Sequence, residues 1–481
     1  MKENNSKFFF VLLTVGAVVG IGNIFIYPYF SFNFSGLFFL PYLIALIILG
    51  VPLLLLEFSA GQYFDKNVVD MFASIRKWFS SIGWLMVFNA FIMASLYATA
   101  LSWHIIYFFV SIGTRWKANP RNYFFNNIIQ ASDGFSGFTR FSLPVFIALI
   151  IAWLIIFFYI RKGYEGIKRS FLLTIPIFVA LLLFFLFYSL ALDNALVGVH
   201  SFLKPDFKDL ISIETWFAAF SLAAVSLGLS FGIMHVFARK SGKGFLVANS
   251  FIAVVFEILT SIAFGFIIFS ILGFLGTKYN GLSNLEFSDY GALFVILSGA
   301  VPFFYKPALL GMIFFLFLSV LFLLGAAALS YSLSHVLVHK FKSKHIHAAI
   351  LVVGIGFLGS LLFAVKPGYY IMNIVVHFIY YNIVVALLLE TLAIGWFFDL
   401  DKMASFINQY SKIKFGKIFH FMIKYIVPLI LLLLLALQLR YDLLVRYNNY
   451  PLWALLFFGA GTVAIPLIIA FLMPQKIFDR R

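Results

Sequence analysis

The chain has 481 residues, of which 63% are hydrophobic and 11% are charged, less than half the roughly 25% charged fraction of an average soluble domain. Most of the chain must therefore lie in lipid, and a soluble globular protein is excluded. The net charge of +16 does not indicate nucleic-acid binding, because the basic residues are scattered through short connections, and the absence of cysteine excludes disulfides and thiolate chemistry.

Twelve apolar runs predict an all-α membrane protein of about twelve transmembrane helices. Each run is long enough to cross a bilayer, because about 20 residues at ~1.5 Å each span ~30 Å of hydrocarbon. In chain order the runs are residues 8–30, 36–60, 82–112, 141–160, 170–192, 215–238, 245–275, 307–338, 347–364, 369–398, 421–440 and 451–474. An orientation with both termini cytoplasmic places roughly twice as many lysines and arginines on the cytoplasmic side as on the other, so we predict this topology in the cell (plasma) membrane.

The polar connections are too short to form a soluble domain, so residues 1–481 are interpreted as a single membrane domain. The longest of these connections are residues 113–140, 193–213 and 276–303.

Two of the apolar runs contain clusters of small residues that predict interrupted helices. The first run contains Gly16-Ala-Val-Val-Gly20-Ile-Gly22-Asn23, and the sixth contains Ser226-Leu-Gly228-Leu-Ser230-Phe-Gly232. Backbone groups freed inside a bilayer must be satisfied by protein, water or ligand. Breaks in the first and sixth helices are typical of inverted-repeat transporters with a site at the membrane midplane. Close helix packing through small residues is the structural alternative.

These segments resemble the neurotransmitter:sodium symporter family, which includes the bacterial leucine transporter. The residues GAVVGIGNIFIYPYF, NFSGLFFLPY and GVPLLLLEFSAGQY are similar to the first two helices of that family and the loop that links them. ASLYATALSW resembles its third helix, WFAAFSLAAVSLGLSFG its sixth and FEILTSIAFGFIIFSILGF its seventh. The resemblance covers nearly the whole chain, and in helices nine to twelve it is mainly one of hydropathy and spacing.

The resemblance implies a five-plus-five inverted repeat with unwound helices 1 and 6. Residues 1–192 form the first repeat and residues 193–398 the second, followed by helices 11 and 12 in residues 399–481. The implied activity is sodium-coupled symport by alternating access and not an enzymatic reaction.

The implied substrate is a neutral, hydrophobic amino acid. Monoamine carriers of the family have aspartate at the position of Gly20, whereas amino-acid carriers have glycine there. The backbone amides of a broken helix suit the substrate carboxylate. The implied substrate-binding residues are Val18, Gly20, Ile21, Gly22, Met93, Tyr97, Val225, Ser226, Gly228, Phe231, Ser332 and His335. His335 is either a contact to a polar substrate or a helix residue packed near the pocket.

Two sodium sites are implied by the same comparison. Site 1 consists of Val18, Asn23, Ser226 and Glu257, where the family normally has asparagine at the last position. Site 2 consists of Gly16, Val19, Ala327 and Ser330, and Tyr331 stands where the family has serine or threonine. A phenol oxygen lies farther from its backbone, so the second site is altered or lost. Proton coupling through Glu257 and a non-transporting amino-acid sensor therefore remain alternatives.

The carboxylate of Glu257 also determines what we expect about chloride dependence. Chloride-dependent members bind the anion near the first sodium, and here Tyr42, Ser226 and Ser261 match that shell, whereas Leu222 replaces its glutamine. Because Glu257 brings a negative charge of its own, we expect sodium to be needed and chloride not to be required. The resemblance implies no organic cofactor.

The gates of the family are replaced by other residues. Ile26 stands in the place of an arginine whose acidic partner falls on Val375 or Val376, and Val225 replaces an aromatic lid. Polar residues around Asn4 replace an inner tryptophan–arginine pair. An unpaired buried charge is costly, so the joint loss of both charges is self-consistent. Opening and closing are expected to depend on apolar contacts and on Tyr97.

Three further titratable residues lie within the apolar runs. Glu57 and Glu390 match family acids and are interpreted as structural groups that satisfy buried backbone. His235 is interpreted as having no metal-ligand context, since helical spacing places no other histidine or acid beside it on its own helix.

Overall fold

The computed structural model describes residues 2–278, 289–411, 414 and 416–472. Within these ranges the chain is helical, and β-structure is limited to one isolated bridge between Phe141 and Val365. The expectation for the side chains around Asn4 lies outside the described residues.

Twelve helical units follow one another in the described part of the chain, and two of them are broken. Their bounds are α1a Lys2–Val18, α1b Gly22–Asn33, α2 Gly36–Phe64, α3 Lys77–Val110, α4 Leu143–Ile160, α5 Tyr164–Leu190, α6a Ile213–Ser226, α6b Ile233–Lys240, α7 Leu246–Lys278, α8 Pro307–Phe341, α9 His345–Ala364, α10 Gly368–Phe397, α11 Lys417–Asn449 and α12 Leu452–Leu472. Shorter connecting helices include Val68–Ile75, Ala195–Leu203, Tyr290–Ala300 and Leu400–Tyr410.

The all-α membrane architecture is confirmed. Among the described residues, ten helices are long and apolar enough to cross a membrane, and the bent pair α1a and α1b makes eleven. The predicted sixth run, residues 215–238, is divided into α6a of 14 residues and α6b of 8 residues. At ~1.5 Å per residue neither half crosses ~30 Å by itself, so this span depends on both halves. The bounds of the two repeats stay a prediction.

The break in the first helix follows from its glycines and from Asn23. The two halves are bent by 51° around Val19, Gly20 and Ile21. The amide of Gly20 donates to the side-chain oxygen of Asn23 at 2.8 Å. A side chain thus takes over an amide that the interrupted helix leaves without a backbone partner.

The break in the sixth helix covers residues 227–232 and uses left-handed backbone three times. Gly228 has φ +67° and Gly232 has φ +69°, a region that glycine enters without a Cβ clash. Ser230 has φ +63°, and its amide donates to Glu57 Oε1 at 2.8 Å. A carboxylate from α2 therefore holds the unwound segment in place.

The long helices differ in how deeply they are buried. The membrane-length segments of α3 and α8 are more buried than those of the other long helices, whereas α12 turns side chains such as Phe457 and Ile468 outward, as expected for a helix that faces lipid. Both breaks lie beside this central pair of helices.

Residues 276–303 are predicted to be a polar connection, but the described part of this segment is mainly apolar. Tyr290–Ala300 is an apolar helix in which Leu293 and Phe294 are buried, and Trp103 of α3 packs edge-on against Phe294. Residues 279–288 lie outside the described residues. Its aromatic contacts bring this connecting segment into the core.

Candidate substrate and ion sites

A cavity of about 130 Å³ lies between the two helix breaks. Its lining comes from α1, α3, α6, α8 and α10. Ten of the twelve predicted substrate-binding residues line it, namely Val18, Gly20, Ile21, Gly22, Met93, Tyr97, Val225, Ser226, Gly228 and Phe231. Residues far apart in the sequence are thus brought to one enclosed volume at the midpoint of the broken helices.

The α10 side of the cavity was not found in the sequence. Met372, Val376, Ile379, Tyr380 and Ile383 line it. Their spacing of three and four residues places them on one face of a helix. That periodicity, continued from the gate position at Val376, is the signal that could have found them.

Two predicted pocket residues, Ser332 and His335, do not line the cavity. The Ser332 hydroxyl donates to the carbonyl of Phe231 at 2.8 Å, so it supports the unwound segment from behind. His335 is buried nearer the end of α8, and its Nε2 lies 3.3 Å from Nη1 of Arg239. In this arrangement His335 therefore does not provide the predicted contact with a substrate side chain.

Tyr97 lies directly over the break in the first helix. Its hydroxyl oxygen accepts a hydrogen bond from the Ile21 amide at 3.1 Å. A Cβ on Gly20 would lie 2.2 Å from that oxygen, and a Cβ on Gly325 would lie 2.4 Å from the ring. Two residues without side chains therefore make room for this tyrosine. Because the oxygen accepts from Ile21, its own O–H remains to donate to an anion in the cavity.

The predicted first sodium site is built around the carboxylate of Glu257. Oε2 accepts from the Asn23 side chain at 2.7 Å, and Oε1 accepts from Tyr42 at 2.8 Å and from Ser261 at 3.4 Å. Ser226 Oγ lies 3.0 Å from the Tyr42 hydroxyl oxygen. In the described part of the chain the groups bonded to this carboxylate are all neutral. The carboxylate therefore has no cationic partner among these residues.

The residues predicted as an anion shell converge on the same carboxylate. Tyr42 and Ser261 donate to Glu257, and Ser226 lies behind Tyr42. Leu222 brings only a methyl group to this region, 3.7 Å from where a Cβ on Gly22 would lie. A negative charge supplied by the protein thus occupies the donors that would otherwise face an anion.

Among the residues predicted for the second sodium site, Ser330 has an unusual environment. Ser330 is completely buried, and its hydroxyl has no hydrogen-bond partner among the described residues. Buried hydroxyls without partners are uncommon, which distinguishes Ser330 from the other predicted ligands of this site. The ring of Tyr331 stacks on Phe237 of α6b, with centroids 6.0 Å apart, so this side chain packs α8 against α6b.

Apolar side chains and a pair of hydroxyls lie near the cavity, in place of the charged and aromatic gate residues of the family. Ile26, Val225 and Val376 all line the cavity, as apolar gates require. The hydroxyl of Tyr380 lies 2.9 Å from that of Ser221 and joins α10 to α6a. This pair was not predicted from the sequence.

His235, which was interpreted from its own helix as having no metal-ligand context, has two acidic neighbours from other helices. His235, Glu57 and Glu390 offer nitrogen and oxygen atoms that all lie within 4.8 Å of one another, and all three residues are buried. They come from α6b, α2 and α10, so spacing along a single helix could not bring them together.

Comparison with known proteins gives a family match along the chain. The model of the sodium:neurotransmitter symporter family matches residues 2–119 and 114–478. An uncharacterized sodium-dependent transporter of Methanocaldococcus jannaschii is 28% identical over 469 residues, which cover 96% of this chain and 95% of that protein.

Two curated animal relatives are also similar to this chain. The sodium- and chloride-dependent GABA transporter 2 of Homo sapiens is 25% identical over 444 residues, which cover 83% of this chain and 73% of that protein. The sodium- and chloride-dependent GABA transporter ine of Drosophila melanogaster is 29% identical over 333 residues, which cover 62% of this chain and 35% of that longer protein.

Proposed function

The chain belongs to the sodium:neurotransmitter symporter family, a family of transporters and not of enzymes, and we propose that it is a sodium-coupled symporter of neutral, mainly hydrophobic amino acids. The observation that carries this proposal is the cavity between the two breaks, with the Tyr97 hydroxyl at one end and apolar side chains elsewhere. We place the protein in the cell membrane with both termini cytoplasmic, as the distribution of basic residues predicts.

Charge placement favours an α-amino acid over GABA. The cavity lining contains no acidic side chain among the described residues. An α-amine lies next to its carboxylate and can reach the backbone carbonyls of Ala17 and Val18 at the break. The amine of GABA is several carbons from its carboxylate and would lie among apolar side chains. A buried ammonium without a partner is costly, so the α-amino acid is the better fit.

Sodium coupling is supported by Glu257 and by the unpaired hydroxyl of Ser330. A carboxylate surrounded only by neutral donors attracts a monovalent cation, and the acid also supplies the negative charge that chloride would bring. We therefore propose sodium dependence without a chloride requirement. The two animal relatives named as chloride-dependent make this the sharpest part of the proposal to test.

A thermal-shift screen tests the substrate class. The purified protein is heated with each of the twenty amino acids or GABA, in sodium and in potassium. A ligand at a hundred times its Kd adds about 2.7 kcal/mol of stability, which is a readily measured shift. We expect one or more apolar amino acids to stabilise the protein in sodium only. Stabilisation by GABA alone, or no sodium-dependent stabilisation, contradicts the proposal.

Two glycine variants make the screen specific to the site. Gly20→Ala brings a Cβ to 2.2 Å from the Tyr97 oxygen and is expected to abolish the amino-acid effect. Gly354→Ala in α9 meets no atom within 4 Å and serves as the matched control.

Counterflow in proteoliposomes then separates a carrier from a sensor. A carrier exchanges labelled amino acid across the membrane in the presence of sodium, whereas a sensor binds it without exchange. Binding without counterflow in wild type would leave the amino-acid site intact and overturn the symport activity.

A further inference from the structure

Two buried acids flank one buried histidine at the inner end of the unwound segment of α6. His235 Nδ1 lies 3.2 Å from Glu57 Oε2, and its Nε2 lies 3.0 Å from Glu390 Oε1. The side chains of Glu57 and Glu390 are 0% exposed and that of His235 is 1% exposed. Each ring nitrogen thus faces a carboxylate oxygen, so the cluster has two positions for a proton between nitrogen and oxygen.

The charges of this cluster do not balance with an imidazolium alone. Two carboxylates and one imidazolium leave a net charge of minus one in the membrane interior. Arg239 near the end of α6b binds Asp65 at 2.8 Å, and Lys340 of α8 binds Asp70 at 3.2 Å. Lys240, the last residue of α6b, is exposed. Phe72 completes the surroundings of the histidine with an apolar ring. Because an unbalanced buried charge is costly, one further proton on a carboxylate is favoured.

We propose that Glu57, His235 and Glu390 form a proton-binding site whose occupancy changes during the transport cycle. The site is separate from the sodium ligands around Glu257, with which it shares no hydrogen-bond partner among the described residues. This inference rests on the proposed function, because it requires a cycle of substrate and sodium binding.

The cluster is connected to the cavity from two directions. Glu57 Oε1 accepts the amide of Ser230, whose neighbour Phe231 lines the cavity. Glu390 lies on α10, which contributes one face of helix to the cavity wall. A movement of either the unwound segment or α10 changes what faces a carboxylate oxygen. Since hydrogen bonds to a carboxylate favour its charged form, such a movement shifts the affinity for the proton.

Proton exchange on ligand binding is the direct test. Wild-type protein in lightly buffered detergent solution is mixed with sodium and the amino acid identified by thermal shift, and a pH dye records protons released or taken up. We expect about one proton per transporter, since linkage requires exchange when affinity differs between states. Glu390→Gln is expected to abolish the signal. Asp442→Asn removes the acid of the His377 pair, 2.9 Å apart at the other end of α10, and is expected to leave it unchanged.

A second measurement needs no substrate and remains informative if Glu390→Gln folds poorly. Under this proposal the folded protein binds more protons than the unfolded chain, because free glutamates are deprotonated at neutral pH and a free histidine is mostly neutral. The cluster then contributes a fall in the melting temperature as the pH rises from 6 to 9. Glu57→Gln leaves one carboxylate to balance the imidazolium, so it is expected to weaken this dependence, and Asp442→Asn is expected to keep it.

The outcomes separate this proposal from the proposed function. Sodium-dependent stabilisation by an amino acid with no proton signal in wild type overturns the proton site and leaves symport intact. A pH dependence of stability that is the same in wild type and in Glu57→Gln also overturns it. Stabilisation of wild type, but not of His235→Gln, by Zn²⁺ would assign the cluster to a metal instead. Failure of every amino acid to bind counts against the proposed function, and the pH dependence then still decides the proton site.

Discussion

Replacing Glu257 tests both the sodium site and the independence from chloride. The carboxylate accepts three hydrogen bonds, from Asn23 at 2.7 Å, Tyr42 at 2.8 Å and Ser261 at 3.4 Å. Glu257→Gln keeps the size of the side chain but removes its charge and turns one acceptor into a donor. A hydrogen bond to a charged group contributes about 1.5–3 kcal/mol. We expect a loss of about 2–3 kcal/mol in sodium binding, which is a roughly 30- to 150-fold weaker affinity.

A smaller substitution distinguishes charge from space. Glu257→Ser removes the charge and opens a volume that Tyr42 and Ser261 still face with their hydroxyls. A chloride ion can then supply the missing negative charge. We expect Glu257→Ser to need chloride for sodium-driven uptake, whereas Glu257→Gln fills the volume and is not restored by chloride.

Uptake of the identified amino acid into proteoliposomes measures both effects. Sodium is titrated as its chloride and as its gluconate, for wild type and for the two variants. Wild type is expected to give the same curve with either anion. Chloride stimulation of wild type that persists unchanged in Glu257→Gln would refute the reasoning, and so would a wild-type sodium affinity in that variant.

Three other substitutions give distinct expected results. Tyr97→Phe removes a hydroxyl aimed at the substrate carboxylate and should cost about 1 kcal/mol, a roughly five-fold weaker amino-acid affinity in thermal-shift titrations, with sodium binding little changed. Ser330→Ala removes a buried hydroxyl without a partner among the described residues, so stability in potassium should not fall. The Hill coefficient for sodium in uptake should decrease. Tyr380→Phe breaks the 2.9 Å contact with Ser221 and should speed substrate release in a filter-based dissociation assay; an unchanged rate contradicts a gating role.

The sequence was sufficient where function depends on a contiguous motif. Gly16 to Asn23 carries the glycines that interrupt the helix within eight residues, so this segment alone predicted the position of the break. The contact by which Asn23 caps the Gly20 amide was not predicted. The broken sixth helix was predicted for the same reason, since Gly228 and Gly232 are needed locally for positive φ. The family prediction was confirmed because these motifs are specific.

The sequence was insufficient where function depends on helices that meet only after folding. His235 and Glu390 are 155 residues apart, and Ser221 and Tyr380 are 159 apart. Their side chains are ordinary within their own helices, and only the packing of α6 against α10 gives them partners. For His335 the sequence left two alternatives open, and the face of α8 on which it lies favours the packed helix residue over the substrate contact.

The three intramembrane acids are balanced in two different ways, and this difference predicts how the ions act. Glu257 is surrounded by neutral donors and depends on a cation from solution, whereas Glu57 and Glu390 have a histidine between them and depend on a proton. Sites without shared partners should respond additively. The double variant Glu257→Gln with Glu390→Gln should therefore show the sodium affinity of the first single variant and the pH dependence of the second. If sodium affinity in wild type falls with added protons and Glu257→Gln alone removes that effect, protons and sodium compete at Glu257, and coupling passes through one site instead of two.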